Sequence, residues 1–136
     1  MSLEFLDTNV LVYAHSRDSV KKRAIANDLI GRTLREGRIA VSTQVLAEFY
    51  SVAIRKLAMS SEEAETVVTD FGKVQLHQPS LADLIRASHL HRRYKIQWWD
   101  ALIVNSALEL DCSILWTEDL RHGQRIGGLT VRNPFA

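Results

Sequence analysis

Short runs of apolar residues alternate along the chain with longer stretches in which apolar residues recur every three or four positions. The short runs predict β-strands at 3–6, 38–41, 74–77, 113–116 and 129–132. The longer stretches predict amphipathic helices, and the clearest has Val45, Phe49 and Leu57 on its apolar face. Strands that alternate with helices indicate a mainly parallel sheet covered on both faces. The predicted fold class is therefore α/β, a three-layer α/β/α sandwich.

Polar residues mark where the helices begin. Ser60 and Glu63 form a capping-box pattern, in which each side chain bonds the backbone N–H group of the other residue, and Ser80 with Asp83 repeats it. The predicted helices cover about 19–35, 43–57, 61–72, 81–93 and 98–110. Each helix falls between two predicted strands, or between a strand and another helix, as the sandwich requires.

The composition is that of an ordinary globular domain. The chain has 136 residues, of which 46% are hydrophobic and 24% charged, and no internal repeat. We expect a single domain over 1–136. The apolar stretch at 101–108 is shorter than the ~20 residues that span a membrane, and the first residues lack the pattern of a secretory signal. One cysteine, Cys112, cannot form an internal disulfide, so we expect a cytoplasmic protein that does not bind a membrane.

Two acidic residues follow predicted strands. Asp7 comes directly after the first strand, and Asp119 follows the fourth. Functional sites in parallel sheets lie beyond the carboxyl ends of the strands, so these two side chains are candidates for one site. Each also has a simpler interpretation, because Asp7 could cap a helix and Asp119 could be an ordinary loop residue. Glu118, the neighbour of Asp119, could take the same place.

A third acid, Asp100, lies on a predicted helix. Its helical neighbours include Ile103 and Val104, so its carboxylate shares the apolar stripe and not the polar face that Asn105 and Glu109 indicate. An acid that points inward needs a partner. The alternative is a first-turn carboxylate stabilised by the helix dipole, worth about 0.3 to 1 kcal/mol.

A fourth acid, Glu48, falls on a polar stripe with Gln44 and Arg55, so a solvated helix face explains it as well as a site does. Gathering four acids would be unfavourable by itself. Two carboxylates ~5 Å apart repel by roughly 3 kcal/mol at an effective dielectric constant near 20. A divalent cation reverses the sign, and oxygen ligands suit Mg²⁺ or Mn²⁺.

The remaining residues point to no other cofactor. The five histidines include no pair with metal-ligand spacing, and no glycine-rich phosphate loop is present. We expect the three tryptophans, Trp98, Trp99 and Trp116, to be buried and not to stack on bases. The net charge is +1, but 17 Lys and Arg face only 12 acids if four are gathered in one site, which leaves a mildly basic surface.

Four motifs in order carry a family resemblance. They are Phe5-Leu6-Asp7-Thr8-Asn9-Val10-Leu11, Ala47-Glu48-Phe49, Trp99-Asp100-Ala101-Leu102-Ile103 and Thr117-Glu118-Asp119-Leu120. The set resembles PIN-domain ribonucleases, particularly the VapC-type toxins of bacterial toxin–antitoxin pairs. The resemblance implies an α/β/α fold, Mg²⁺- or Mn²⁺-dependent endoribonuclease activity on an RNA substrate, a cognate antitoxin and a homodimer. It also implies that the family's acidic positions are Asp7, Glu48, Asp100 and Asp119, all metal ligands, with Thr117 as the family's hydroxyl residue.

One departure from the family pattern concerns the last motif. Many members have Thr-x-Asn with an aspartate shortly downstream, whereas Asp119 takes the Asn place here and no acid follows it. The implied second metal would then be held weakly, or not at all without substrate. Two other classes stay open: a phosphotransfer or phosphatase enzyme, which also places an aspartate at a strand end, and a non-catalytic module that binds RNA or protein.

Overall fold

The protein is described by a computed structural model, which covers residues 2–136 and contains a six-stranded sheet with helices against it. The strands are β1 (Leu3–Leu6), β2 (Ile39–Ser42), β3 (Gln75–His77), β4 (Cys112–Trp116), β5 (Arg125–Ile126) and β6 (Leu129–Arg132). The helices are α1 (Thr8–His15), α2 (Val20–Arg35), α3 (Thr43–Lys56), α4 (Ser61–Phe71), α5 (Leu81–Tyr94) and α6 (Trp98–Glu109).

The strand order in the sheet is β3-β2-β1-β4-β6-β5. All neighbouring strands are parallel except β5 and β6, which form an antiparallel pair at one edge. The chain moves from β1 toward β3 on one side and then returns to place β4 on the other side of β1. This confirms the predicted, mainly parallel α/β sheet, and it makes the gap between β1 and β4 the point where the strand order reverses.

The helices form two groups. α1 contacts α2 and α3, and α3 contacts α4, whereas α5 packs on α6. Because parallel crossovers are right-handed, reversing the direction of travel across the sheet moves the helices to its other face. The core lies between these layers: Phe5 of β1 and Val41 of β2 are fully buried, as are Phe49 of α3 and Val104 of α6. The observed architecture is therefore the predicted sandwich.

Local signals account for most helix starts. The Ser42 side chain accepts a hydrogen bond from the Val45 N–H group at the start of α3. Before α4, Ser60 and Glu63 form the predicted capping box, with hydrogen bonds of 3.1 and 3.0 Å. These contacts satisfy N–H groups that the first helical turn leaves without backbone partners.

Two elements were not predicted, the helix α1 and the two-residue strand β5. α1 begins immediately after Asp7, which is its N-cap, so strand and helix follow each other without a loop. β5 pairs only with β6, and Gly127 makes the turn between them with a positive φ of 59°. Within residues 2–136, no helix is both long and apolar enough to cross a membrane.

The prediction that Asn105 lies on an exposed polar face was wrong. Asn105 is only 2% exposed, and its amide donates to the Asp83 carboxylate at 2.9 Å. The reason is that α6 contacts β2 and β4 as well as α5, so it is covered on two sides. A helix between two layers needs no polar face, and the buried amide is satisfied by a hydrogen bond instead.

Candidate functional site

The candidate site lies at the carboxyl ends of β1 and β4, where the strand order reverses. Leu6 pairs with Trp116 in the parallel register, so the residues that follow, Asp7 and Thr117, leave the sheet side by side. The Asp7 N–H group continues the ladder by donating to the Trp116 carbonyl at 3.0 Å. This is the position at which open α/β sheets bind ligands.

Asp7 is held in a fixed orientation by two hydrogen bonds. Its Oδ1 accepts from the Thr8 N–H group at 2.6 Å, and its Oδ2 accepts from the Thr117 hydroxyl at 2.7 Å. The residue is 5% exposed. Asp7 therefore caps α1 and at the same time faces the other acids.

Asp100 and Asp119 complete a group of three carboxylates. One oxygen from each of Asp7, Asp100 and Asp119 lies within 4.8 Å of the other two. Asp100 is in the first turn of α6 and half-buried, while Asp119 is the most accessible of the three. The fold thus brings Asp7 next to two acids that follow it by more than 90 positions in the sequence.

Glu48 lies beside this group but is not part of the three-oxygen set. Its Oε2 accepts from the Thr8 hydroxyl at 2.8 Å, and its Oε1 accepts from the Gln44 amide at 2.9 Å. Glu48 lines the same cavity as the three aspartates, so this member of the polar stripe on α3 faces the site, whereas Arg55 of the same stripe is exposed and lies outside the cavity. The structure brings all four predicted acids to one cavity, three of them within reach of one ion.

Two further side chains support Asp119. The Thr117 hydroxyl accepts from the Asp119 N–H group at 3.1 Å while donating to Asp7, so it connects two of the acids. The Asn9 amide donates to Asp119 at 3.2 Å. Thr8 and Asn9 had no assigned role in the sequence, because their contacts depend on how α1 packs against α3 and against the loop after β4. The bond from Gln44 to Glu48 is local, since both residues lie on α3 four positions apart.

The choice between Glu118 and Asp119 is resolved by their partners. Glu118 accepts from the Tyr13 hydroxyl at 2.9 Å and forms an ion pair with Lys22 at 3.3 Å. Lys22 also lies over the Tyr13 ring, 4.4 Å from its centroid. Glu118 is therefore held away from the carboxylate group, and Asp119 takes the place within it.

The surroundings of the three aspartates raise their pKa values. Burial raises the pKa of Asp7 to about 7, and the charges of Asp119 and Glu48 add to the effect, against the hydrogen bonds from Thr117 and Thr8. Burial and the same two charges raise the pKa of Asp100 to about 6. The pKa of Asp119 is raised by burial and by Glu118. Clustered acids with raised pKa values are typical of functional sites.

The ligand atoms available at the carboxylate group fit a divalent cation that prefers oxygen. All are carboxylate oxygens, the ligand type that suits Mg²⁺ and Mn²⁺, and among residues 2–136 no histidine or cysteine lines either cavity at the cluster. The Asn9 Oδ1 atom is buried without a hydrogen-bond partner, although the amide nitrogen of the same side chain reaches Asp119. A bound cation with its water would compensate the clustered charge and give this oxygen a donor.

The prediction that all three tryptophans are buried was wrong for Trp99. Trp99 is 62% exposed, whereas Trp98 and Trp116 are partly buried. Trp99 immediately precedes Asp100 at the start of α6, where its side chain lines the cavity of the acids.

A second polar cluster joins β3 to α5 and α6. His77 lies 2.7 Å from the Ser106 hydroxyl and 3.4 Å from the Asp83 carboxylate. The arrangement has the residue types of a Ser-His-Asp triad, but Ser106 is fully buried and no substrate can reach it. This cluster is structural, and the accessible chemistry stays with the acids.

Comparison with known proteins identifies the family. The model of the PIN domain matches residues 5–127, which include all four acids. The chain belongs to the PIN-domain family. Among curated protein sequences, no significant match was found.

Solved structures with the same fold include a toxin and toxin–antitoxin complexes. VapC20 of Mycobacterium tuberculosis, a sarcin–ricin loop cleaving toxin, is 14% identical with a TM-score of 0.70 over 85% of this chain and 89% of that one. A toxin–antitoxin complex from Klebsiella pneumoniae is 20% identical, with a TM-score of 0.71 over 96% and 97%. DNA-bound VapBC from Salmonella typhimurium is 20% identical, with a TM-score of 0.68 over 98% and 99%. At these identities the likeness establishes the fold of this PIN domain.

Proposed function

We propose that this PIN domain is an endoribonuclease that hydrolyses RNA phosphodiester bonds with Mg²⁺ or Mn²⁺. The observation that carries the proposal is the convergence of Asp7, Asp100 and Asp119, whose carboxylate oxygens lie within 4.8 Å of one another. Such a group is unfavourable without a cation, because repulsion and burial both disfavour the charged forms. Its presence in a cavity at the strand ends is explained by a role in catalysis.

The three aspartates would hold the cation, with Glu48 as a fourth carboxylate beside it. When bound, the cation would activate water, polarise a phosphoryl oxygen and stabilise the departing alkoxide. Thr117 keeps Asp7 and Asp119 in a fixed relation, because its hydroxyl bonds both. Gln44 and Thr8 hold both oxygens of Glu48. The protein thus presents oriented carboxylates in advance of binding.

The geometry at Asp7 argues against a phosphotransfer enzyme. An aspartate that forms an acyl-phosphate must let a phosphoryl group approach in line with its attacking oxygen, but Asp7 is only 5% exposed and two hydrogen bonds fix its orientation. Asp7 therefore fits a ligand better than a nucleophile. Incubation with a phosphoryl donor and Mg²⁺ should leave the protein unmodified.

The test is cleavage of a short oligoribonucleotide with Mg²⁺, analysed by mass spectrometry. No histidine lines either cavity at the acids, so a 2′,3′-cyclic phosphate is not expected. Products should carry 5′-phosphate and 3′-hydroxyl ends, and EDTA should stop the reaction. Cleavage that persists in EDTA, or cyclic phosphate ends, would contradict the proposal.

We also propose that the protein acts as a VapC-like toxin with an antitoxin partner and as a homodimer. The support for an antitoxin partner is that the complexes from Klebsiella pneumoniae and Salmonella typhimurium, which share its fold, are toxin–antitoxin assemblies. The homodimer is proposed from the family resemblance of the sequence. Co-expression with the product of the adjacent gene should yield a complex in which cleavage is inhibited. Light scattering of the isolated protein should give twice the mass of 15.4 kDa.

A further inference from the structure

Two cavities of different character meet at the carboxylates. Asp100 and Asp119 line both of them. The first has a volume of about 340 Å³ and holds all four acids, and the rest of its wall includes Val52, Ile103 and Trp99, with Lys56 and Asp18 as further lining residues. It is named the apolar cavity because more of its lining surface is apolar than polar. The second has a volume of about 770 Å³ and a mainly polar wall. A chain that crossed the acids would pass from an apolar to a polar environment.

Trp99 is the unusual residue of the apolar cavity. It is 62% exposed, although indole rings in small domains usually contribute to the core. Its backbone is fixed, because its carbonyl oxygen accepts from Gln44 at 3.2 Å and it lies in the first turn of α6. An aromatic ring on a rigid helix beside a reaction site can stack on a nucleobase of any identity.

Lys95 and Arg121 are the cations of the polar cavity. Both are exposed, and within residues 2–136 neither forms an ion pair, although Asp100 and Asp119 line the same cavity. They come from two separate places, the end of α5 and the loop after β4. Unpaired cations in a groove beside carboxylates give an anionic chain a place to bind without approaching the acids directly.

We propose that single-stranded RNA crosses the site in a defined way, with one base stacked on Trp99 and the phosphates on the other side of the cleaved bond held by Lys95 and Arg121. The inference rests on the proposed ribonuclease function and extends it to the path of the substrate. Apolar surface meets the base, whose faces are apolar, and free positive charge meets the phosphates, so each half of the groove receives the matching part of a nucleotide.

The proposed stacking of a base on Trp99 is tested by measuring RNA binding without cleavage. The Asp100→Asn protein in EDTA keeps an oligoribonucleotide intact, and fluorescence anisotropy gives its Kd. Adding Trp99→Ala should weaken binding roughly 5- to 150-fold, the loss expected for one stacked base, and Trp99→Phe should restore most of it. Leu81→Ala is the matched control, since Leu81 is 74% exposed and lies outside both cavities. Its Kd should not change.

An oligonucleotide with one abasic position makes the test specific for a base. When the missing base is the one that stacks, the Trp99→Ala substitution should cost nothing further. Scanning the abasic position along the oligonucleotide therefore locates the base. If no abasic position removes the effect of Trp99→Ala on RNA affinity, the ring does not stack on one base and the inference is wrong. If Trp99→Ala instead changes the mass of the protein in solution and leaves RNA affinity intact, the ring is an interface residue and the inference is also wrong.

The proposed binding of phosphates by Lys95 and Arg121 is tested by the salt dependence of Kd. Lys95→Gln with Arg121→Gln should reduce the slope of log Kd against log salt by about 1.4, since each phosphate contact to a single strand contributes about 0.7. Lys21→Gln with Arg35→Gln is the control, because these two exposed residues lie on α2 away from both cavities. An unchanged slope in the first pair overturns the proposed path.

The outcomes separate this inference from the proposed function. Wild-type protein that cuts RNA with Mg²⁺, together with unchanged binding by the Trp99 and Lys95/Arg121 variants, would leave the ribonuclease in place and overturn the path. RNA binding that responds to these variants as stated, without any cleavage, would support the path and contradict the ribonuclease.

Discussion

At the scale of single residues, Asp7 shows how one side chain serves the fold and the site together. Asp7 directly follows β1, caps α1 and faces Asp119. Its burial is unfavourable for a charged group, and the hydrogen bonds from Thr8 and Thr117 offset part of that cost. The residue is therefore fixed in position before any cation binds, which is what a metal ligand requires.

Asp100→Asn should abolish cleavage and leave the fold intact. The substitution removes a proposed metal ligand. Removing a residue that only hydrogen-bonds a metal ligand lowers activity about 10- to 100-fold, so the loss of activity in Asp100→Asn should be larger. It also removes a charge that repels Asp119 and Glu48, so the metal-free variant should be as stable as the wild type or more so. Cleavage assays and urea unfolding check both statements. An unfolded variant would show that Asp100 is structural, and normal cleavage would remove it from the site.

Thr117 should act through the residues that it positions. Thr117→Val loses the hydrogen bonds to Asp7 and to the Asp119 N–H group, so activity should fall about 10- to 100-fold. The bond to Asp7 lowers the pKa of Asp7, so its loss should move the rise of activity with pH to higher pH. Thr117→Ser keeps the hydroxyl and should restore the pH profile. A Val variant with reduced stability and an unchanged profile would limit Thr117 to a packing role.

At the scale of elements, the sequence predicts those whose signals are local. The starts of α3 and α4 depend on capping residues next to the helix, and both were predictable. α1 was missed because it has eight residues, follows β1 without a loop and takes its cap from the strand end. Asn105 was misplaced because nothing within α6 shows that α5 covers it.

The distinction between local signals and long-range packing applies to the candidate site as well. Topology brings strand ends together, so Asp7 and Asp119 could be predicted as neighbours from the alternation of strands and helices. The hydrogen bond between Thr8 and Glu48 joins residues 40 positions apart. It depends on how α1 and α3 pack, which no local pattern records. The exposure of Trp99 could not be predicted either, since a tryptophan at a helix start is compatible with burial and with exposure.

Asp83 joins α5 to α6, and its removal should destabilise both. The carboxylate is 4% exposed and accepts from the Ser80 N–H group, Asn105 and Arg86. Asp83→Ala leaves the buried Asn105 amide without a partner, so the free energy of unfolding should fall by about 1 to 3 kcal/mol. Urea unfolding measures the change. Asp70→Ala, on the exposed face of α4, is the control and should have little effect.

The Asp83 variant should also change stability at acid pH. Although burial alone would raise it, the hydrogen bonds from Ser80, Asn105 and Arg86 hold the pKa of Asp83 well below its usual range. A lowered folded-state pKa gives stability that is present above the unfolded pKa, about 3.9, and is lost as the pH falls below it. The difference between wild type and Asp83→Ala should therefore shrink below about pH 4. A difference that stays constant would show that the cost is packing alone.

At the scale of the whole molecule, charge is distributed unevenly around a balanced total. The net charge is +1, yet four acids share one cavity at the reversal of the strand order. The sheet makes this possible, because β1, β2 and β4 all end at the same edge and each is followed by an acid-bearing segment. The rest of the chain carries 17 basic residues against 12 acids, and two of those acids, Glu4 and Asp83, are buried. The fold therefore combines a local anionic site with a mildly basic exterior, which suits a cation and a polyanion at once.

The last prediction concerns this anionic site as a whole. Because burial raises the pKa of Asp7 to about 7, the folded protein binds a proton there that the unfolded chain, with a pKa near 3.8, has released. In that range the native state holds more protons, so stability should fall as pH rises from about 4 to 7 when metal is absent. Burial raises the pKa of Asp100 to about 6, which acts in the same direction. Melting temperatures in EDTA across this range measure the decline.

Mg²⁺ should restore the stability that is lost in EDTA at the upper end of this pH range. The cation binds the charged carboxylates of the native state, so it stabilises by mass action and does so most where those groups are deprotonated. The gain in melting temperature should be small near pH 5 and large above about pH 7. Asp7→Asn keeps an N-cap residue for α1 but removes the charge, so it should flatten the profile in EDTA and reduce the response to Mg²⁺. A wild-type melting temperature that is independent of pH in EDTA, and equally raised by Mg²⁺ at every pH, would show that the carboxylates are not coupled as the structure indicates.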